Sequence, residues 1–121
     1  MLILADTSIW IRHFRIGEPD LVGLLNAGDI VAHSVVLGEL AVGGLRKRAQ
    51  TLADLRALPQ ITESPFADSL DLIEVQRLYG IGLSWGDVQL LAAALSNSIP
   101  IWTLDVPLQT RSQLLGISWT P

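Results

Sequence analysis

The hydrophobic residues of the chain form short runs that alternate with longer stretches of helical spacing. Residues 2–5, 30–32 and 100–104 are short runs dominated by apolar or β-branched side chains, and they predict strands buried on both faces. Ile61 and residues 117–119 predict two further short strands. The stretches between these runs carry apolar residues three or four positions apart, as on one face of a helix. Strands that alternate with helices predict an α/β fold with a parallel sheet of about five strands, covered on both faces.

Capping and breaking residues set the expected helix boundaries. Thr7 or Ser8 is predicted to cap a helix that ends near Gly17, and Pro19 to begin a second helix that ends before Gly28. Five further helices are expected: one capped by Ser34 and ending at Gly43-Gly44, one over about 46–57, one opened by Ser64-Pro65 and ending at 80–82, one capped by Ser84 and ending around Asn97, and one over 107–115.

The length and composition describe one folded domain. At 121 residues, without a repeat or a linker, the chain is expected to form a single domain over 1–121. A hydrophobic content of 50% with 17% charged residues excludes a disordered chain. No apolar stretch approaches the ~20 residues that span a bilayer, and the N-terminus lacks the features of a signal peptide. The absence of cysteine favours a cytoplasmic location.

Four acidic residues stand where apolar runs end or predicted helices begin: Asp6, Glu39, Asp87 and Asp105. Asp6 and Asp105 directly follow apolar runs, so they are expected at the carboxyl edge of the sheet, where open α/β sheets bind ligands. Carboxylates a few ångströms apart repel each other and raise each other's pKa unless a cation compensates them. A divalent metal ion is the simplest such cation, and it suggests metal-assisted hydrolysis.

Each of these acids also has an ordinary structural explanation. Asp6 can cap the helix that follows it, and Asp105 can be a turn residue before a proline. Asp87 lies in the first turn of a predicted helix, where the helix dipole stabilises an anion by ~0.3–1 kcal/mol. Glu39 can be a solvent-facing residue of an amphipathic helix. The residue types and their positions leave both interpretations open.

The hydroxyl and imidazole side chains near these acids also allow both a functional and a structural interpretation. Thr7, Ser8 and Thr103 neighbour the acids and can hydrogen-bond a ligand carboxylate, or they can cap helices and turns. His13 and His33 lack metal-ligand spacing and are expected to be surface or partly buried side chains. With no cysteine and no suitable histidine, oxygen-only ligation indicates a hard ion, Mg²⁺ or Mn²⁺.

The overall charge argues against nucleic-acid binding, but the basic residues are unevenly placed. Twelve acidic against eight basic residues give a net charge of −4. Arg12 and Arg15 follow the first acid, while Arg46, Lys47 and Arg48 follow the second. Two basic patches beside an acidic centre suit a phosphate-bearing substrate, and the alternative is that they are solvated helix ends.

Four segments together resemble a known family. They are residues 4–11 (LADTSIWI), 36–43 (VLGELAVG), 83–92 (LSWGDVQLLA) and 101–105 (IWTLD). In this order they resemble the four motifs of PIN-domain ribonucleases, particularly VapC-type toxins. Any one motif is weak, but four in register over the whole chain are specific.

The resemblance implies a fold, an activity and partners. The fold would be a three-layer α/β/α sandwich, and the activity a Mg²⁺- or Mn²⁺-dependent endoribonuclease that acts as a toxin. A cognate antitoxin would block the site, and the basic assembly would be a homodimer. The residues implied as catalytic are Asp6, Glu39, Asp87 and Asp105. Among them, Asp6 and Asp87 would bind the metal directly, while Asp105 and Glu39 would hold metal-bound water or a second ion. The supporting residues would be Thr7, Ser8 and Thr103, and the residues in contact with RNA would be Arg12, Arg46, Lys47 and Arg48.

Two other classes of protein can also carry acids in these positions. A non-catalytic PIN-like interaction module would keep the acids without turnover. A phosphoacceptor receiver-like domain also carries acids at strand ends, but it needs an acidic neighbour for Asp6 and a lysine after a late strand. Asp6 has no acidic neighbour and the only lysine is Lys47, so this class is disfavoured.

Overall fold

The first strand of the chain lies at the centre of a parallel sheet with the strand order β2-β1-β3. The structure is a computed structural model that describes residues 1–121. In chain order the elements are β1 (Ile3–Ala5), α1 (Thr7–Ile16), α2 (Pro19–Asn26), β2 (Ile30–Val31), α3 (Ser34–Ala41), α4 (Arg48–Arg56), α5 (Phe66–Gln76), α6 (Trp85–Asn97), β3 (Ile101–Trp102) and α7 (Val106–Leu114). The predicted α/β class and the parallel direction of the strands are therefore confirmed. None of the helices combines the length and the apolar character that a membrane crossing requires.

The register of the sheet determines which residues meet at its carboxyl edge. Every residue of β1 is buried, as expected for a central parallel strand. Ala5 of β1 pairs with Trp102 of β3, and the amide of Asp6 donates to the carbonyl of Trp102 at 3.0 Å. The next residues of the two strands, Asp6 and Thr103, consequently lie side by side where both strands end.

The long helix α6 forms the apolar centre of the helical layer. It packs against α3, α5 and β3. Its middle is buried almost all round, and small side chains there allow close approach of neighbouring elements. The buried residues are Val88, Leu90, Leu91, Ala92, Ala93 and Ala94.

The structure contains fewer strands than predicted. The segments expected at Ile61 and at residues 117–119 each make a single parallel bridge, Ala32 with Gln60 and Ile101 with Ser118. Pro59 has no N–H, so the first of these segments cannot extend its ladder towards its N-terminus. Three strands and two one-residue bridges thus replace the predicted sheet of about five strands, without a change in its direction.

Two predicted helix caps were wrong, and a third was right. Asp6 caps α1 by accepting from the amide of Ser8, so neither Thr7 nor Ser8 is the cap. His33 caps α3 in place of Ser34. In both cases the residue in extended conformation directly after a strand or bridge takes the cap position, because its side chain points back at the first free amides. Ser84 caps α6 as predicted.

The cap of α3 is a buried histidine. His33 is 1% exposed, and its Nδ1 accepts from the amide of Val35 at 3.0 Å. Its Nε2 lies 3.4 Å from Oε1 of Glu63, which also accepts from the hydroxyl of Ser34 at 2.5 Å. Burial lowers the pKa of His33, and the charge of Glu63 opposes this shift. The neutral ring with its proton on Nε2 is therefore the form that satisfies both contacts.

This arrangement predicts a pH-dependent contribution of His33 to stability. Protonation would place a hydrogen on Nδ1 and remove the acceptor for the Val35 amide. Since the folded pKa lies below the unfolded value of 6.5, the contribution is complete above about 6.5 and is lost as the pH falls through the folded pKa. The loss is about 1.4 kcal/mol for each unit of lowering.

Urea unfolding from about pH 8 to pH 5 measures this effect against His33→Asn, which keeps a capping oxygen but does not titrate. The wild type is expected to lose stability relative to the variant as the pH falls. Parallel curves for the two proteins would contradict this account of the cap.

Candidate active site

The carboxylate of Asp6 is held between two hydroxyl groups at the carboxyl edge of the sheet. The hydroxyl of Ser8 donates to Oδ1 at 2.5 Å, and that of Thr103 donates to Oδ2 at 2.6 Å. The amide of Ser8 adds a third donor to Oδ1 at 2.9 Å. All three bonds favour the ionised carboxylate.

The two hydroxyl groups are themselves oriented by the backbone after β3. The amide of Leu104 donates to Oγ of Ser8 at 2.9 Å, and the amide of Asp105 donates to Oγ1 of Thr103 at 3.0 Å. Each hydroxyl therefore accepts a hydrogen bond from an amide and donates one to the carboxylate. Such chains fix the orientation of a site side chain before any ligand binds.

No basic side chain forms an ion pair with Asp6. The residue is 5% exposed, and the two ion pairs of the structure are formed elsewhere, by the N-terminal ammonium of Met1 with Asp29 and by Arg12 with Glu18. Burial raises the pKa of Asp6 even though the bonds from Ser8 and Thr103 act to lower it. A buried carboxylate supported only by hydrogen-bond donors is a candidate position for a bound cation.

A glycine brings the second acid to the start of α6. A Cβ atom at Gly86 would lie 3.0 Å from Cγ1 of Val35 and 3.2 Å from Oε1 of Glu39. The missing side chain thus lets α3 approach the first turn of α6, which carries Asp87. The carboxylate of Glu39 has no hydrogen-bond or ion-pair partner, so it is available to a ligand.

The other two acids bond to amides at helix N-termini: Asp105 caps α7, and Asp87 completes the capping box that Ser84 begins in α6. Oδ2 of Asp87 accepts from the amide of Ser84 at 2.9 Å, while the amide of Asp87 donates to the hydroxyl of Ser84 at 3.1 Å. Oδ2 of Asp105 accepts from the amide of Leu108 at 3.1 Å. Both carboxylates therefore lie at helix N-termini, where the helix dipole favours negative charge.

A contact between two loops connects these two halves of the site. Gly82, at a φ of 88° that favours glycine, lies close to the first turn of α7, since a Cβ there would be 3.3 Å from Cγ of Pro107. The loop that leads to Asp87 therefore packs against the helix start capped by Asp105. Asp105 is joined in turn to Asp6 through the hydroxyl of Thr103.

Contacts between loops and helices link the elements that carry the four acids, but the acids do not form a ready ligand set. No group of three or more acidic or histidine side chains lies close enough to hold a metal ion. The predicted ligands Asp6, Asp87 and Asp105 are consequently not assembled around one point, because the carboxylates of Asp87 and Asp105 turn towards helix amides. Their roles as ligands remain predictions.

The predicted supporting residues differ in their contacts. Ser8 and Thr103 bond directly to Asp6, as expected. The hydroxyl of Thr7 is buried and has no hydrogen-bond partner, so its expected contact with the acids is not made. Gly86 was missed because a glycine in a helical turn has no chemistry of its own; its place directly before an acid was the one available signal.

Two of the four predicted RNA-contacting residues have structural partners instead. Nε of Arg12 lies 3.2 Å from Oε2 of the buried Glu18. The guanidinium of Arg48 donates to the carbonyls of Ala41 and Gly43, at the C-terminal end of α3. Arg46 and Lys47, by contrast, are exposed and form no ion pair.

Comparison with known proteins identifies the family. The sequence model of the PIN domain family matches residues 3–109 of the chain. Ribonuclease VapC32 from Mycobacterium tuberculosis is 35% identical over an alignment of 121 positions that covers 97% of this chain and 95% of that protein. The chain belongs to the PIN-domain family. The resemblance drawn from the four motifs, to VapC-type PIN-domain ribonucleases, is thereby confirmed.

Solved structures show the same fold at low sequence identity. A chain in the crystal structure of VapBC2 from Rickettsia felis, bound to a DNA fragment from its promoter, superposes with a TM-score of 0.67 at 14% identity and covers 91% of this PIN domain and 92% of that chain. FitAcB from Neisseria gonorrhoeae gives a TM-score of 0.64 at 17% identity, with 93% and 94% covered. The predicted α/β PIN fold is confirmed.

The burial of Asp6 predicts that the PIN domain is destabilised by this carboxylate when divalent cations are chelated. Asp6→Asn keeps a capping side chain and removes the buried charge, so it is expected to raise the free energy of unfolding at about pH 7 by ~1 kcal/mol. The folded pKa lies above the unfolded value of 3.8, so the charge penalty is present above the folded pKa and is lost as the pH falls through it. The advantage of the variant should therefore shrink towards about pH 4.

Urea unfolding in the presence of a chelator checks this expectation. Asp20→Asn, at an exposed acid in the first turn of α2, is the control and should show no comparable gain. A less stable Asp6→Asn protein at neutral pH would contradict the description of Asp6 as an uncompensated buried anion.

The close approach at Gly86 predicts an unusual response to alanine. In an open helical position, glycine to alanine stabilises a protein by up to about 1 kcal/mol. This gain is expected for Gly38→Ala in α3, where nothing lies within 4 Å of the added Cβ. Gly86→Ala should lose that gain, because Val35 and Glu39 must move. Equal stabilisation by both substitutions, measured by thermal unfolding, would show that the two helices are not in close contact there.

Proposed function

We propose that this PIN domain is a Mg²⁺-dependent endoribonuclease, with Mn²⁺ as the alternative ion, that acts as the toxin of a toxin–antitoxin pair. The observation that carries the proposal is the buried, uncompensated carboxylate of Asp6 at the carboxyl edge of the sheet. Glu39, Asp87 and Asp105 stand on the helices that flank this edge.

The residues of the site fit a hard divalent cation. All the available donors are oxygen atoms, and Mg²⁺ needs only one or two carboxylates because it keeps several waters. The histidines are engaged elsewhere, since Nδ1 of His13 accepts from the amide of Glu18 and Nδ1 of His33 caps α3. Asp6 and Asp87 would hold the ion, with Asp105 as a further ligand once its carboxylate leaves the Leu108 amide.

Different residues would then serve different parts of the reaction. When bound, the ion supplies activation of water and neutralises charge on the scissile phosphate. Ser8 and Thr103 keep the Asp6 carboxylate ionised and oriented. Glu39, whose carboxylate has no hydrogen-bond or ion-pair partner, would hold the attacking water and accept its proton. Attack of the water oxygen on phosphorus would expel the 3′ oxygen and leave a 5′-phosphate.

The toxin role rests on the relatives. The Mycobacterium tuberculosis homologue is ribonuclease VapC32, and the superposed chains come from VapBC2 and FitAcB. A toxin–antitoxin complex from Klebsiella pneumoniae also matches, with a TM-score of 0.64 at 22% identity. We infer an antitoxin partner, a homodimer and a cytoplasmic site of action. Exposed large apolar side chains support protein contacts; they include Phe66, Leu70, Val75, Tyr79 and Trp85.

Cleavage assays with purified protein and RNA test the activity. Mg²⁺-dependent cleavage is expected, and Asp6→Asn and Asp87→Asn should each lower it by at least about a hundredfold, since metal activation supplies several kcal/mol. Thr103→Val, which removes one donor to Asp6, should lower it by about 10- to 100-fold. Asp20→Asn is the control and should leave cleavage unchanged.

Ion binding gives a second, independent measurement. Mg²⁺ at about 100 times its dissociation constant should stabilise the wild type by ~2.7 kcal/mol. The same concentration should have little effect on Asp6→Asn. Equal stabilisation of both proteins would place the ion elsewhere.

A non-catalytic PIN-like interaction module is the second candidate. It is favoured by the engagement of Asp87 and Asp105 as caps and by the absence of an assembled ligand group. Antitoxin binding without cation-dependent cleavage by the wild type would select this function.

A further inference from the structure

One face of α1 leads away from the Asp6 site. Ser8, Ile11, Arg12 and Arg15 follow the spacing i, i+3, i+4, i+7 and so share this face. Ser8 bonds directly to Asp6. At 1.5 Å per residue, Arg12 and Arg15 lie about 6 Å and about 10 Å further along the helix axis than Ser8.

Two cavities that share the lining residue Arg15 lie beside α1, and together they are called the α1 groove below. The first, of about 380 Å³, is lined by Ser8, Ile11, Arg12, Arg15, Ile16 and Leu104. The second, of about 370 Å³, is lined by Phe14, Arg15, Gly44, Leu45, Arg46 and Thr51. Because Arg15 lines both, the α1 groove extends from the hydroxyl partner of Asp6 to the loop before α4.

The charge of the α1 groove is opposite to that of the protein. The whole chain carries a net charge of −4, yet every charged residue that lines the groove is an arginine. Arg12 is paired with Glu18, whereas Arg15 and Arg46 have neither an ion pair nor a side-chain hydrogen bond. Two free guanidinium groups on one concave surface are suited to the phosphates of a polyanion.

An aromatic ring on the groove is held in place from behind. Phe14 lies next to Trp10 and His13, with ring centroids 6.0 and 5.7 Å away, and it remains 40% exposed. A supported aromatic ring with an open face is a stacking surface for an unpaired base. The combination of free arginines with such a ring favours a single-stranded nucleic acid over an acidic peptide, which would have no use for the stacking face.

We propose that the α1 groove binds the single-stranded part of the RNA that extends beyond the scissile phosphate, with Arg15 and Arg46 on backbone phosphates and Phe14 against a base. The identity of the ligand as RNA rests on the proposed function. The site itself rests on the geometry and charge of the groove.

The test measures RNA binding separately from cleavage. All variants carry Asp6→Asn and are titrated, in chelator, with a short fluorescent single-stranded RNA of mixed sequence over a range of salt concentrations. Arg15→Gln/Arg46→Gln should weaken binding and reduce the slope of log K against log salt by about 0.7 for each lost phosphate contact, about 1.4 in all. Phe14→Leu should weaken binding by about fivefold without a change of slope.

The matched control removes two exposed charges away from the groove. Arg56→Gln/Arg77→Gln has the same net charge and should keep the slope of the parent. Equal slopes for the two double variants, or no measurable RNA binding at low salt, would overturn the proposal. Unchanged RNA binding with weakened binding of an acidic peptide or antitoxin would assign the groove to a protein and also overturn it.

The outcomes separate this inference from the proposed function. Arginine-dependent RNA binding by a protein whose wild type does not cleave RNA supports the groove and contradicts the nuclease. Cleavage by the wild type, together with a slope that Arg15 and Arg46 do not affect, contradicts the groove alone. In the wild-type background, the groove variants should raise KM and leave kcat unchanged.

Discussion

The pairing of Asp6 with Thr103 across two parallel strands is the contact on which the site depends. The register of β1 and β3 places these residues side by side, and the 2.6 Å bond between them ties the start of α1 to the start of α7. Because a buried carboxylate without donors would be very unfavourable, the hydroxyl groups are needed for the fold before they serve any chemistry. The same bonds that offset the burial of the Asp6 carboxylate also favour its ionised form.

Helix capping and ligand binding compete for the same oxygen atoms in this protein. Asp6 and Asp105 cap helices and Asp87 completes the capping box of Ser84, and each is also a predicted ligand or catalytic residue. A cap contributes roughly 1 kcal/mol, so an incoming divalent cation can displace it readily. This explains how a site can be preorganised at one edge while no three of its acids surround a common point. It also explains why residue type alone could not distinguish a cap from a ligand, since an aspartate at a helix N-terminus suits both roles.

The sequence predicted the elements and their direction better than their contacts. Apolar runs located the strands, and Pro19 and Ser84 marked helix starts correctly, because these signals act within a few residues. The cap at His33 was missed, and that at Asp6 was left as one of two interpretations, because a preceding strand or bridge, rather than the local sequence, determines which side chain faces the free amides. The role of Gly86 could not be predicted from the sequence at all. It depends on how closely α3 approaches α6, and this is a property of the packed core.

The position of charges, rather than their sum, determines what a small acidic domain can bind. A net charge of −4 argues against RNA, yet several of the acids are paired, buried or used as caps, and none lines the α1 groove. Ion pairing removes Arg12 from the free cations, and the carbonyls at the end of α3 engage Arg48. Adjacent positions in the sequence thus divide between structural and available charges. Phosphate binding is set within a Debye length of about 10 Å, so the local arginines outweigh distant acids on other faces. An acidic chain can therefore present a basic path to an acidic centre.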